Sequence, residues 1–299
     1  MNARIPIPVA LQNAAFTRRQ GLDSGLGAGR LRGRDLQRPY RGVLVASTSE
    51  LTLAHLCAAR QRTLADHAHF CGITAAALTG VPLPRELERS RLLHVATTPE
   101  HRAPAGRGIR GYALRGAQWR DWHGLRVSTP ERIWCELAVH LSVRDLVAAG
   151  DYLIHEPLAH TSEARLRTAV TSYAGRRGGP ALLTAIDLLD GRAESRRESH
   201  VRVILAQAGV SGFVPNVWIT TAGGYRYRAD LASADRKLIV EYQGWHHFTP
   251  EQIIADMTRI SRLEADEWKV MLVGSADLAD PTELAERVAR TLARRPHFG

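Results

Sequence analysis

Lysine is almost missing from this 299-residue chain. It occurs only at Lys237 and Lys269, so arginine carries nearly all of the positive charge. Such a choice reflects a GC-rich coding bias as readily as a functional one. Cysteine is scarce as well: Cys57, Cys71 and Cys135 are odd in number and far apart, which argues against a disulfide framework. Without a C-x-x-C pair there is no basis for a zinc ribbon. No apolar run approaches the roughly 18 residues that span a bilayer. The apolar stretch Ile5 to Leu11 is short and broken by Pro6 and Pro8, unlike a secretory signal. Internal repeats and low-complexity tracts are absent too. These absences set the expectation of a cytoplasmic protein with no membrane association.

What is present is an ordinary hydrophobic fraction of 44% over a length that suggests two or three domains. The net charge of +10 points to a polyanionic partner, nucleic acid first. That charge is unevenly placed. From Glu198 onward there are 12 Lys/Arg and 13 Asp/Glu, a net of −1. The first 45 residues hold Arg4, Arg18, Arg19, Arg30, Arg32, Arg34, Arg38 and Arg41 against only Asp23 and Asp35. A strong phosphate grip is therefore expected near the N-terminus.

The expected class is α/β, in three parts. Residues 1–48 read as a small helical unit ending in a hairpin. Thr17 and Gln20 make a capping box, helix 18–24 stops at Gly25, and a second helix spans about 28–36. Residues 38–45 follow as strand material. Helix, short glycine-containing turn, helix and strand pair is the pattern of a winged helix-turn-helix, whose second helix would present Arg30, Arg32 and Arg34 to a major groove. Residues 49–190 read as a helix-rich middle, with a helix over 51–70, short strands near 92–96 and 125–127, and further helices from Pro130 on. There the spacing Trp134, Leu137, Leu141 is core packing. His67, His69 and Cys71 alternate as ligands on a strand would, but the surrounding pattern is helical, which disfavours a metal.

Residues 191–299 carry the clearest pattern. After a polar linker over 191–197 come a helix with Glu198, a strand to Thr220, a turn at Gly223 and Gly224, and a returning strand with Asp230. A very apolar strand then ends in Glu241-Tyr242-Gln243. A capping box at Thr249 opens a helix over 251–265, and a fourth strand and a final helix follow. Cutting a phosphodiester requires an activated water and neutralisation of phosphate charge, and a divalent ion supplies both. Mg²⁺ is held by one or two carboxylates plus substrate phosphate. Acids on adjacent strands, such as Asp230 and Glu241, can converge at one end of a sheet. Buried together without a cation they are costly, which favours a metal or a shared proton.

Each residue also has a plainer reading. Asp230 can cap a turn or pair with Arg228. His246 and His247 can form a solvated loop pair. Asp256 and Arg259, at i,i+3, can be a surface ion pair contributing about 0.2–0.5 kcal/mol. Glu241, after a run of buried aliphatics, is the hardest to dismiss.

The segments Arg228-Ala-Asp230-Leu and Ile239-Val-Glu241-Tyr-Gln243-Gly-Trp-His-His247, with Asp256-x-x-Arg259 and Trp268-Lys-Val270, resemble the PD-(D/E)XK nuclease superfamily. The likeness is greatest to its very-short-patch-repair-like endonuclease domains, and it covers about the last third of the chain. It implies a restriction-endonuclease-like α/β domain with a central mixed sheet. Asp230 and Glu241 would hold Mg²⁺ or Mn²⁺, and Glu198 would be a third acid. Gln243 or His247 would position or activate water. Gln243 departs from the lysine common at this place. It can orient a water, but cannot act as a base or supply charge.

At the other end, Phe16 to Gln20, Leu31 to Leu36 and Tyr40-Arg-Gly-Val43 resemble the winged-helix domain of AbiEi-type antitoxins. That resemblance implies contact with double-stranded DNA through Arg18, Arg19, Arg30, Arg32 and Arg34, and a partner toxin. The alternative is a three-helix packing module with surface arginines. Two functions are therefore expected to compete: a DNA-binding, metal-dependent endonuclease, and an antitoxin-like transcriptional regulator whose nuclease fold is degenerate. A ligand-binding helical protein has only the long middle segment in its favour.

Overall fold

Thr17 accepts a hydrogen bond from the Gln20 N–H while the Gln20 side chain reaches back to the Thr17 N–H, so the first capping box forms as its spacing predicts. In the computed structural model, which describes residues 5–12, 15–46, 52–173, 175–244 and 249–298, the chain is mixed α/β. The described residues form 13 α-helices and three sheets, two of them mixed. None of the described helices is long and apolar enough to cross a membrane. The chain divides into two units, Met1–Glu136 and Leu137–Gly299. The stretch 49–190, which reads as one middle region, is thus shared between them.

The first unit begins with α1 (Val9–Gln12), β1 (Phe16–Thr17), α2 (Arg18–Asp23), β2 (Leu36–Gln37) and β3 (Val43–Ala46), the strands forming a small antiparallel sheet in the order β1-β3-β2. The expected second helix is instead a single 3₁₀ turn, Arg30–Arg32. Gly27, Gly29 and Gly33 surround it, and each glycine costs about 1 kcal/mol in a helix interior. Gly33 has a positive reason to be there: a Cβ would lie 2.5 Å from Asp35 Oδ1 and 2.8 Å from Arg30 Nη1.

The unit continues through α3 (Leu53–Gln61), β4 (His69–Phe70), α4 (Gly72–Leu78), α5 (Arg85–Glu88), β5 (Leu93–Thr97), β6 (Ile109–Ala113), β7 (Trp119–Trp122) and β8 (Leu125–Ser128) into α6 (Pro130–Leu137). Its five-stranded sheet runs β6-β5-β4-β8-β7. The helix expected over 51–70 ends at Gln61, and His69 instead enters β4, paired with Ala96. Trp134, Leu137 and Leu141 are buried, as core packing requires.

In the second unit, α7 (Val143–Ile154), α8 (Glu163–Tyr173) and α9 (Gly179–Ile186) precede α10 (Arg196–Gln207). Then come β9 (Val214–Thr220), β10 (Arg226–Ser233), β11 (Leu238–Tyr242), α11 (Pro250–Ala265), β12 (Lys269–Val273), α12 (Ser275–Ala279) and α13 (Pro281–Arg294). The sheet order is β12-β11-β10-β9, antiparallel except for the parallel pair β11–β12, which α11 connects. On one face, Leu231, Leu238 and Val240 pack with Val201, Ile204 and Leu205 of α10 and Leu284 and Val288 of α13. On the other, Ala232, Ile239 and Val270 pack with Leu263 and Ile260 of α11. A sheet covered on both faces explains the unbroken apolar run in β11.

Candidate active site

The β10–β11 ladder sets Leu231 against Val240, Ala232 against Ile239 and Ser233 against Leu238, so its next step brings Asp230 opposite Glu241. Asp230 Oδ2 accepts a hydrogen bond of 2.9 Å from the backbone N–H of Tyr242, the residue after Glu241. On the other side, β10 pairs with β9 from Arg226 to Ala229 and again from Leu231, stepping over Asp230 and Asn216. Asn216 has φ 53°, a left-handed conformation that asparagine tolerates better than most residues. Its side chain donates to the Arg192 carbonyl at 2.6 Å and to Glu198 Oε2 at 2.9 Å. A strained residue at the break in the ladder thus anchors the third acid.

Glu198 lies in the first turn of α10, where Ser195 caps the Glu198 N–H and Glu198 Oε2 accepts from the Glu194 N–H at 3.0 Å. Two carboxylates of α7 fix the helix. Asp145 takes hydrogen bonds from Arg196 at 2.6 Å and from His200 at 2.8 Å. Asp151 takes them from Ser199 and Arg202, both at 2.7 Å. Burial works against the charged form of Asp145, but the hydrogen bonds of His200 and Ser142 and the charge of Arg196 outweigh it and hold its carboxyl well below the usual range. At the more deeply buried Asp151, desolvation wins over Arg202 and the other donors and the pKa rises.

Asp230 is the electrostatically perturbed acid. Burial, followed by the negative charges of Glu198 and Glu241, pushes it up to about 6 against the opposing pull of the Tyr242 N–H and Arg259. Glu241 is buried, and Arg259 of α11 grips it with both guanidinium arms at 2.7 Å. The same guanidinium reaches Asp256 at 2.6 and 2.9 Å. Burial disfavours its charge, but hydrogen bonds and attraction from the two carboxylates overcome that and raise the Arg259 pKa. Asp256 also accepts from Gln243 Nε2 at 2.9 Å.

Of the sequence-derived site residues, Glu198, Asp230, Glu241 and Gln243 therefore lie around the end of the β10–β11 pairing. His246 and His247 lie outside the described residues. Arg228 does not pair with Asp230; its partner is Glu194. Asp256 and Arg259 are not an isolated surface pair, since their network extends inward to Glu241. Asn216 carries no sequence signal at all.

Asp230 and Glu241 are the residues whose oxygens could hold a hard divalent cation, with Arg259 now occupying both oxygens of Glu241. Burial with the negative charges of Glu198 and Glu241 raises the Asp230 pKa despite the nearby Arg259. Among the described residues no three His, Cys, Asp or Glu side chains form a ready-made metal cage. Two carboxylates with phosphate completing the shell is the Mg²⁺ habit. His67, His69 and Cys71 do not gather into a metal-holding group. His69 is buried, and desolvation lowers its pKa to about 4, while His67 stacks on His101.

In the first unit, Arg18, Arg19, Arg32 and Arg34 are exposed. Arg30 is not: it turns inward, bonding Asp35 at 2.7 and 3.0 Å with only 8% of its side chain accessible. The sequence pattern places it on an outward helix face, and the loss of that helix to a 3₁₀ turn is why it points elsewhere.

The chain is 30% identical over 262 residues to two uncharacterized proteins of Mycobacterium tuberculosis strains, MT2308 and Rv2248, an overlap of 87% of this chain and 93% of each relative. No family model and no solved structure matches it.

Proposed function

The chain belongs to the family of these two mycobacterial proteins, and we propose that its second unit is a divalent-metal-dependent nuclease acting on DNA. The observation that carries this reading is the placement of Asp230 opposite Glu241, with Glu198 near enough to raise the Asp230 pKa. When bound, Mg²⁺ or Mn²⁺ would lower the pKa of a water and neutralise phosphate oxygens. Asp230 and Glu241 would hold the ion. Glu198, fixed by Asn216, would orient a water through its remaining oxygen. Gln243 would donate a hydrogen bond to phosphate or water from the position where the superfamily commonly has lysine, and Arg259 would neutralise charge beside it. The exposed Arg18, Arg19, Arg32 and Arg34 of the winged-helix-like head would grip duplex phosphates.

Incubating the full-length chain with plasmid DNA and Mg²⁺ or Mn²⁺ tests this, with Glu241→Gln and Asp230→Asn as controls. Metal-dependent nicking that both substitutions abolish is the expected result. Nicking that persists in both would assign the activity elsewhere.

A second reading has its own observation. Both carboxylate oxygens of Glu241 are occupied by Arg259, and Gln243 leaves the site without a lysine. An antitoxin-like regulator with an inactive nuclease fold, and a partner toxin, would need only the basic head. It predicts metal-independent shifts of the chain's own promoter DNA and no cleavage under any divalent ion.

A further inference from the structure

We propose that Trp218, Arg226 and Arg228 form a stacking platform for unpaired bases of a DNA strand that leads to Asp230, an inference that rests on the nuclease reading of that site. Trp218 lies on the edge strand β9, directly across from Arg228, and is 56% exposed. Trp134, by contrast, is fully buried. Arg226 and Arg228 lie over the Trp218 ring, their guanidinium carbons 5.0 and 5.9 Å from its centroid. An indole left more than half exposed with two guanidiniums over its ring is an unusual use of the largest apolar side chain.

The strand supplies direction. Arg226 and Arg228 stand four and two residues before Asp230 on β10. At a rise of about 3.4 Å per residue, Arg228 is about 7 Å and Arg226 about 14 Å along the strand from Asp230. Glu194, the partner of Arg228, donates its backbone N–H to Glu198, so the row of three side chains adjoins the third acid.

The chemistry selects the occupant. In a duplex the π-face of each base is covered by its neighbours, so an aromatic platform gains little from it. An unpaired base has a free face that stacks on a side-chain ring, and neighbouring guanidiniums take the phosphates. The platform carries two arginines within a stretch whose net charge from Glu198 onward is −1 (12 Lys/Arg, 13 Asp/Glu), which favours a polyanion at this strip. Arg228 also pairs with Glu194, which keeps its guanidinium beside the ring.

The test uses the full-length chain in EDTA, where no metal-dependent cutting occurs, and a fluorescent oligothymidine as probe. Anisotropy gives the affinity. Trp218→Ala should weaken binding roughly 5- to 150-fold, the range for losing one stacked base, and Trp218→Phe should keep most of it. Arg226→Ala should reduce the slope of log affinity against log salt by about 0.7, one phosphate contact on a single strand. Trp119→Ala, at another largely exposed indole, should leave oligothymidine binding unchanged. Unchanged affinity in both Trp218→Ala and Arg226→Ala would overturn the platform. So would an equal loss for a polyglutamate probe, which would mark an acidic-peptide surface, or a defect seen only with duplex. If the platform variants behave as expected yet the wild-type chain cuts nothing with any divalent ion, the nuclease reading falls and the strand-binding surface stands.

Discussion

Arg259 Nη1 meets Glu241 Oε1 and Arg259 Nη2 meets Glu241 Oε2, each at 2.7 Å, so one guanidinium satisfies both oxygens of the buried acid in the proposed metal site. This fork-to-fork pairing is the strongest arrangement available to the two groups. It also places a protein cation where an inorganic one would compete. Substituting Arg259 by Ala removes that competitor and leaves Glu241 buried and unpaired. The expected result is a loss of about 2–4 kcal/mol of stability without metal. Saturating Mg²⁺ should restore more of it than it adds to wild type. Thermal denaturation with and without Mg²⁺ measures both effects. Equal increments in the two proteins would show that Glu241 does not meet the ion.

Asp230 gives a pH dependence whose sign is opposite to that of a salt-bridged acid. Its pKa rises from 3.8 in the unfolded chain to about 6 in the folded one, so between those values the folded state holds more protons. Stability therefore falls as pH rises through this window and is lower by a constant amount above it, on the order of 3 kcal/mol before solvent screening is allowed for. Asp230→Asn should be more stable than wild type at pH 7–8 and little different at pH 4. Chemical denaturation at the two pH values checks this. A divalent ion should cancel the difference at pH 7 by stabilising the ionised wild-type acid.

Gln243 can be given back the missing charge. Gln243→Lys would place an ammonium beside Asp256 and the scissile phosphate. A charge-assisted hydrogen bond exceeds a neutral one by about 1–1.5 kcal/mol, so metal-dependent cleavage should rise about tenfold. A plasmid-nicking time course reads this directly. A drop in rate would mean that the amide's bond to Asp256 is the feature the site needs.

The arginines of the head separate into two kinds. Arg32→Ala and Arg34→Ala should each lower the salt slope of duplex binding by about 0.9 while leaving the melting temperature near wild type. Arg30→Ala should do the reverse: it removes the guanidinium bonds to both Asp35 oxygens and lowers stability, with no change in salt slope. Salt-titrated binding and thermal melts on the three variants distinguish them.

Much of the second unit was legible in its sequence because local chemistry there agrees with the tertiary outcome. Thr249, Pro250 and Gln252 cap α11 as their spacing foretells, and the apolar run before Glu241 is a strand because it is buried on both sides. Glu198, Asp230, Glu241 and Gln243 meet as the strand order suggested. Arg259 was visible only as the neighbour of Asp256, since helical spacing says nothing of what lies across a sheet. Asn216 was invisible, because its role depends on a break in pairing that no residue type announces. In the head, the helical pattern over 28–36 takes in Gly29 and Gly33, but with Gly27 they outweigh the propensity of the intervening segment for helix.

The paired anchors Asp145 and Asp151 determine where the gene can be cut. Ser199, His200, Arg196 and Arg202 all find their partners on α7, at least forty residues upstream of the polar stretch that looks like a linker. A fragment starting at that stretch would expose four orphaned side chains and loosen the helix bearing Glu198. An expression clone meant to retain the acids should start ahead of Ser142, so that α7 is carried whole.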